Sequence, residues 1–526
     1  MSKKIFKISL VLIALSLLLS ACTLPWKKKI ATDSDPLINE ETVNEEISSI
    51  TNNTKQIRKF ASYDDLKAFL KENVNNQNYS RISDAISLSS SIQSMESGSS
   101  RDASKNISQS VSQGTTDYSS TNNQVLGVDE ADIIKTDGNY IYALVHSDLK
   151  IIKVNPASDA QVVSTINFKS RPQDIFINGT SLSVFGSDQQ IFTLDLYKSF
   201  RRQNPYTFFK VYDLTDLANP KLVRDLNFEG SYTDARLIDD YVYLFTNSSA
   251  NYVESESSVP RVLDNGEVLA SSCEASAKCF TPDVYYFDIP YDSYNFVNVN
   301  AINVKDNNEA ISGQVYLMNY GQNFYVSKNN IYITYTEYLN EYELEQSVKK
   351  NLITGKLSAE DQDKIIKIEA VPGFILNKNE KEIKIASIID NYFNTLSEED
   401  QKTLQISIDD SLKQKLVEQS ANMEKTIIHK IAISGKNIEY RGMGEVQGQV
   451  LNQFSMDEYN DYFRIATTRN EIWSRLSDKP NESHSNVYIL DNELKITGSL
   501  ENLATNERIY SARLMGDRVY LVTFKN

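Results

Sequence analysis

The sequence predicts an all-β body assembled from repeated four-stranded antiparallel units, on three observations. Tyrosine is abundant (30 Tyr against 2 Trp and 3 His). Many tyrosines sit beside Val, Ile or Phe, as in Tyr140-Ile141-Tyr142 and Val284-Tyr285-Tyr286-Phe287. Such residues fit a pleated, half-buried surface. Secondly, an apolar strand, a tight turn and a strand reading Val/Ile-Tyr recur at Ala131 to Tyr142, Ala235 to Tyr243 and Ala512 to Tyr520. Looser copies run from Asp174 to Phe185 and from Phe324 to Ile333. Asp, Asn and Gly supply the left-handed conformations these turns need. Thirdly, a second hairpin follows several of the first. Phe209 to Val223 is a strand, an Asn219-Pro220 turn and a strand, and Val284 to Asp288 and Val487 to Asp491 repeat its leading strand. A lone four-stranded sheet cannot cover both its faces, and radial stacking of such units does. The expected fold is a β-propeller of four-stranded antiparallel blades.

The N-terminus predicts an address. Lys3, Lys4 and Lys7 precede an apolar run from Ile8 to Leu19. The run is too short for a stable transmembrane helix and suits a signal peptide. It ends in Leu19-Ser20-Ala21-Cys22, which resembles the lipobox of bacterial lipoproteins. That resemblance implies a signal peptide over 1–21, cleavage before Cys22 and lipidation of its thiol. An ordinary secretory peptide cut near Ala21 would leave Cys22 incidental. Each buried acyl methylene contributes about 0.8 kcal/mol, so several chains hold stably. The expectation is an exported protein, lipid-anchored to the cell membrane or outer membrane and facing outside the cytoplasm.

Residues 22–120 read as a tether. Ser62-Tyr-Asp-Asp65 is a capping-box-like start, followed by Leu66, Phe69 and Leu70 on one helical face. Residues 80 to 120 are serine-rich, a composition that buries too little apolar surface to offset ordering and is expected to be flexible. The propeller is expected over 121–526, interrupted in its fourth blade by a helical insertion over 340–428. Ser358 and Ser397 are helix N-caps with acids in the first turn. Leu404, Ile408, Leu412 and Leu416 then form one face, to pack on its own domain or to dock a partner helix.

The formal net charge of -16 excludes a phosphate-neutralising nucleic-acid binder and loose docking on anionic lipid. Cys273 and Cys279 close a short polar loop, read as a disulfide staple in an exported chain. Asp129, Glu130 and Asp132 form the densest acidic cluster, a weak metal site weighed against a solvated turn. His146, His429 and His484 lie too far apart to suggest zinc. Gly442, Gly444 and Gly448 read as a turn-rich strand connection without phosphate-binding context. No nucleophile elbow or phosphate loop occurs, and no catalytic residue and no cofactor is expected.

Gln124 to Gly138, Asp283 to Pro290, Leu451 to Tyr459 and Glu507 to Arg513 resemble a family of secreted or lipoprotein β-propeller domain-containing proteins, distantly related to WD repeats. The resemblance covers about 118 to the end, and it implies fold and export and no activity. The sequence stops after the first hairpin of a sixth blade, so a truncated copy is expected; the alternative is an N-terminal strand that closes the blade. The expected function is a binding or scaffold module for an envelope protein, a peptide or a polysaccharide. One alternative is an extracellular hydrolase using the central channel. Another is a structural envelope protein that assembles through its helical insertion. Fold analogy does not decide among them.

Overall fold

Each repeat begins where an apolar strand reaches a turn that few residue types tolerate. Asp137 holds the first such turn, its carboxylate accepting from the backbone N–H of Asn139 (2.9 Å) and Tyr140 (2.8 Å). Gly138, Asp239, Asn460, Asp461 and Gly516 all take positive φ at the equivalent turns. Gly, Asn and Asp accept that conformation at least cost.

The computed structural model describes residues 57–71, 123–188, 205–250, 259–273, 278–287, 294–319, 321–338, 341–371, 378–419, 424–471 and 482–525. The signal segment, Cys22 and the serine-rich stretch lie outside the described residues.

Five four-stranded antiparallel meanders follow one another. The first is Ile134–Thr136, Tyr140–Val145, Asp148–Lys153 and Gln161–Asn167. The second is Pro172–Asn178, Ser181–Asp188, Tyr206–Asp213 and Lys221–Glu229. The third is Ser231–Ile238, Tyr241–Ser249, Asn295–Asn303 and Ser312–Met318. The fourth is Asn323–Val326, Asn330–Tyr338, Glu424–Ser434 and Asn437–Gln447. The fifth is Met456–Tyr459, Tyr462–Arg469, His484–Leu490 and Ile496–Leu503. The hairpin Glu507–Met515 and Arg518–Lys525 begins a sixth.

Alternation along each strand sends side chains to both faces, so each sheet packs on two neighbours. Tyr142 and Ile151 of blade 1 share a core with Leu182 and Phe208 of blade 2. Phe185 and Phe209 of blade 2 meet Leu237 and Leu244 of blade 3. Tyr243 and Phe245 of blade 3 meet Phe324 and Ile331 of blade 4. Between blades 4 and 5, Tyr332 stacks on Phe463 with ring centroids 4.1 Å apart. Ala466 and Val487 of blade 5 meet Ile509 and Ala512 of the sixth hairpin. Burying each such large side chain contributes about 1.5–3 kcal/mol, and it is the serial stacking that makes this burial available.

The third blade departs from the expected pattern. Asp283–Phe287, expected as a leading strand like Phe209 onward, is an added strand that runs parallel to Ser312–Met318. The blade's third strand is instead Asn295–Asn303, paired along its length with Tyr241–Ser249. Both segments are aromatic and apolar, so periodicity alone does not rank them. Asn295–Asn303 wins through a nine-residue ladder. On the far side of Asp283–Phe287, Ile57–Lys59 adds antiparallel. The helix over 63–71 follows, with the Ser62 hydroxyl accepting from Asp65 N–H at 3.1 Å. Leu66 and Leu70 are fully buried against Val284, Phe296 and Leu317. The described N-terminal strand therefore joins the third blade.

Two further expectations shift. Gly442 and Gly444 lie inside the strand Asn437–Gln447, not in a connection. A Cβ on Gly444 would lie 2.6 Å from the Leu494 carbonyl, so close approach of blade 5 requires the glycine. The helical insertion spans Glu341–Ile353, Ala359–Ala370, Lys378–Thr395 and Glu398–Glu418, and strand resumes at Glu424. Ser358 and Ser397 accept from the backbone N–H of Asp361 and Asp400, each at 3.2 Å. Leu404, Ile408, Leu412 and Leu416 are buried with Leu344, Val348 and Ile389 in a core made by the helices themselves. That stripe is interior and is not available to a partner helix.

Candidate functional site

Two places in the fold gather polar groups and connections: the axis where the first strands converge, and the edge from which the long connections leave.

At the axis lies residues 123–130, a segment that belongs to no meander. Its Val125–Val128 turn is closed by Val128 N–H donating to the Val125 carbonyl at 3.2 Å, with Gly127 at φ 81°. Leu126 at the tip is 98% exposed, while Val128 is buried with Ile238, Phe324 and Val326. The Gln124 amide donates to the carbonyls of Gln453 and Met456, each at 3.0 Å, at the start of blade 5. Asp129–Glu130 then pairs antiparallel with Arg236 and Leu237 of blade 3. Asp132 bridges to Ile175 of blade 2 before the chain enters blade 1. One short segment thus ties together the innermost strands of the blades.

The three acids expected as a weak metal site are distributed over this segment. Asp129 accepts from the Lys135 ammonium at 2.8 Å. Glu130 accepts from the Gln124 N–H at 3.2 Å. Asp132 accepts from the Ile133 N–H at 2.7 Å. Among the described residues, no group of three or more His, Cys, Asp and Glu is arranged to hold a metal ion.

Their counter-ions are buried. Lys135 also donates to the Glu130 carbonyl at 2.5 Å. Arg236 donates to the Asp234 carboxylate and, at 2.9 Å, to Gln453 Oε1. Burial works to lower the Arg236 pKa, and Asp234 and then Glu130 more than offset it, so its net shift is upward. A buried cation of this kind is tolerated only with such partners. Sequence reasoning missed both cations. The signal was present, because Lys135 and Arg236 each precede the same hairpin turn and stand opposite Tyr142 and Tyr243.

The second place follows from topology. In an antiparallel meander the turns joining strands one and two, and three and four, lie at one end. The links between strands two and three lie at the other, with those between blades. The first-end turns are short. At the second end, blades 2 to 5 carry long connections from Asp188 to Tyr206, Ser249 to Asn295, Tyr338 to Glu424, and Arg469 to His484. The helical insertion and the Cys273–Cys279 disulfide (Cα–Cα 5.2 Å) both belong to this set. At its rim, Glu424 accepts from the backbone N–H (2.8 Å) and the side-chain amide (2.7 Å) of Asn470. Burial raises its carboxyl pKa, and the Asn470 bonds partly oppose that.

His429 is buried in blade 4, its ring 4.2 Å from that of Phe287 and Nδ1 3.0 Å from the Tyr440 hydroxyl. His146 stands at a turn with φ 59°, and His484 opens a strand. The structure does not bring the three together.

Comparison with known proteins agrees with this architecture. The family model of the beta propeller domain matches residues 118–526. An uncharacterised protein of Methanocaldococcus jannaschii is 30% identical over 413 residues, covering 78% of this chain and 58% of that protein. Another, from Archaeoglobus fulgidus, is 27% identical over 419 residues, covering 78% of this chain and 60% of its own length. The chain spans about 58–60% of the length of these relatives. With most of its length matched and its sheets stacked blade on blade, the chain belongs to the beta propeller domain family.

Proposed function

We propose that this chain is a binding or scaffold module, anchored outside the cytoplasm by lipid on Cys22, and that its recognition surface is the end carrying the long connections. The observation that carries this reading is the gathering of four long connections at one end of a stacked-sheet body. Loops displayed on a rigid scaffold are where recognition concentrates. The helical insertion adds a platform with its own core. Its partner is an envelope protein, a peptide or a polysaccharide.

The hydrolase alternative draws less support. Residues 123–130 bridge the first strand of blade 3 and the entry to blade 5, where the first strands approach one another. Glu424, a carboxyl that burial raises, lies at the rim with both oxygens bonded to Asn470.

Two measurements test the reading. An alkyne-tagged fatty acid fed to expressing cells should label the wild type and not Cys22→Ala, which should leave the membrane fraction. Affinity capture from envelope extract should lose its partner when residues 341–418 are excised. Cytosolic, unlabelled wild-type protein would refute the anchor, and capture indifferent to the excision would refute the surface.

A further inference from the structure

The same strand position recurs in three hairpins. Lys135 stands opposite Tyr142 in blade 1, Arg236 opposite Tyr243 in blade 3, and Arg513 opposite Tyr520 in the sixth hairpin. Each tyrosine is the third residue of its strand. The repeat therefore brings three cations to equivalent register positions, Lys135 and Arg236 buried and Arg513 exposed.

Two of the three have carboxylates supplied to them. Lys135 holds Asp129 of the axial segment at 2.8 Å. Arg236 has Asp234 two residues before it and stands opposite Glu130 in register. At Arg513 both sources fail. The residue two before it is Ser511, and the acids of residues 123–130 are Asp129, on Lys135, and Glu130, opposite Arg236. Among the described residues no carboxylate forms an ion pair with Arg513.

Arg513 is nonetheless placed. Its guanidinium lies over the Phe454 ring, 4.8 Å from the centroid. Phe454 follows Gln453, whose carbonyl takes the Gln124 amide and whose side chain takes Arg236. The guanidinium is exposed, the ring beneath it is half-buried, and both border the contacts that hold residues 123–130. An aromatic face under an arginine restricts its orientations while leaving its donors free for a carboxylate.

We propose that Arg513, backed by Phe454, is a docking point for an acidic peptide, whose carboxylate takes the role that Asp129 takes at Lys135. The site deepens the binding-module reading by naming a partner chemistry. It lies apart from the long connections. Residues 123–130 show the binding mode: a turn closed between Val125 and Val128, an amide reaching the carbonyls of residues 453 and 456, and the Asp129 carboxylate on the Lys135 ammonium.

The test uses the intact chain and a fluorescent peptide with the sequence of residues 123–130, beside its amide analogue with Asn and Gln in place of the two acids. Fluorescence anisotropy should show saturable binding of the acidic peptide that weakens as salt rises. Arg513→Gln should weaken it ten-fold or more, Arg513→Lys should retain part of it, and Arg518→Gln, altering an exposed neighbour, should leave it unchanged. No binding, equal binding of the amide analogue, or full binding to Arg513→Gln would each overturn the proposal. Capture that depends on residues 341–418 reads the other end of the blades, so a failure at Arg513 leaves that reading standing.

Discussion

The Lys135 ammonium meets the Asp129 carboxylate at 2.8 Å although the two belong to different parts of the architecture: Lys135 to the first blade, Asp129 to a segment outside every blade. Lys135 is 4% exposed at its side chain and Asp129 26%. A buried ion pair of this kind contributes little against an apolar substitute, and breaking it by removing one partner costs several kcal/mol.

The first prediction follows from that asymmetry. Asp129→Ala removes a carboxylate partner of the buried Lys135 ammonium and should lower stability by about 2–4 kcal/mol, discounted for the partial exposure of Asp129. The double substitution Asp129→Leu with Lys135→Met should recover most of the loss. Chemical denaturation measures both. A double variant no better than Asp129→Ala would mean that the segment is held by its other contacts alone.

Glu424 predicts a pH dependence. Burial raises its carboxyl above the unfolded value, so the folded protein binds the proton more tightly than the unfolded chain. The resulting contribution to stability is full below the unfolded value and is lost as pH rises through the folded one. Glu424→Gln keeps an oxygen to accept from the Asn470 N–H and removes the titration. As pH rises from the ordinary carboxylate range through the raised folded value, the variant's stability should fall less than that of the wild type. Parallel curves would place the pH dependence elsewhere.

The insertion should fail separately from the blades. Ile408 is fully buried in the helices' own core. Ile408→Ala removes three methylene-sized groups there and should cost about 2–4 kcal/mol locally. Hydrogen exchange should show residues 341–418 losing protection while Tyr241–Ser249 and Asn295–Asn303 keep theirs. Equal loss in both would show the insertion to be part of one cooperative unit.

Reducing the Cys273–Cys279 bridge should loosen a local staple. Cys273→Ser releases a short loop and should cost about 2.4 kcal/mol in the chain-entropy account. Phe280 follows directly in sequence and packs into the core between blades 2 and 3. Its protection, read by exchange or by proteolysis near residue 280, should fall first.

Leu66 and Leu70 anchor the N-terminal helix on the third blade. Leu66→Asp should free residues 57–71 and expose them to protease, with the blades' strand signal intact. Ser62→Ala removes only the cap and should cost about 1 kcal/mol. Equal proteolysis of wild type and Leu66→Asp would show that docking there does not protect the segment.

The repeat was legible in the sequence because a hairpin is local. An apolar strand, a turn accepting positive φ and a second strand sit within about a dozen residues, so Ala131 to Tyr142 and Ala235 to Tyr243 announce themselves. The helical insertion was legible for the same reason, through the Ser358 and Ser397 caps and the four-residue spacing from Leu404. Asp283–Phe287 was misplaced because its role depends on pairing with Ser312–Met318, a partner that composition does not identify. The disposition of Asp129 and Glu130 likewise depends on other strands, Lys135 of blade 1 and Arg236–Leu237 of blade 3.

By itself, then, the sequence determined the β character of the body, the turns, the helices and their caps, all of which arise from backbone preferences over short distances. Only the tertiary structure decided which strand stands third in blade 3, which face of the Leu404 helix is interior, and that residues 123–130 bridge blades 3 and 5. Those outcomes depend on contacts between segments more than three hundred residues apart, such as the Gln124 amide with the Met456 carbonyl. Chain closure over such distances is governed by the geometry of the stacked sheets, and a local pattern carries no record of it.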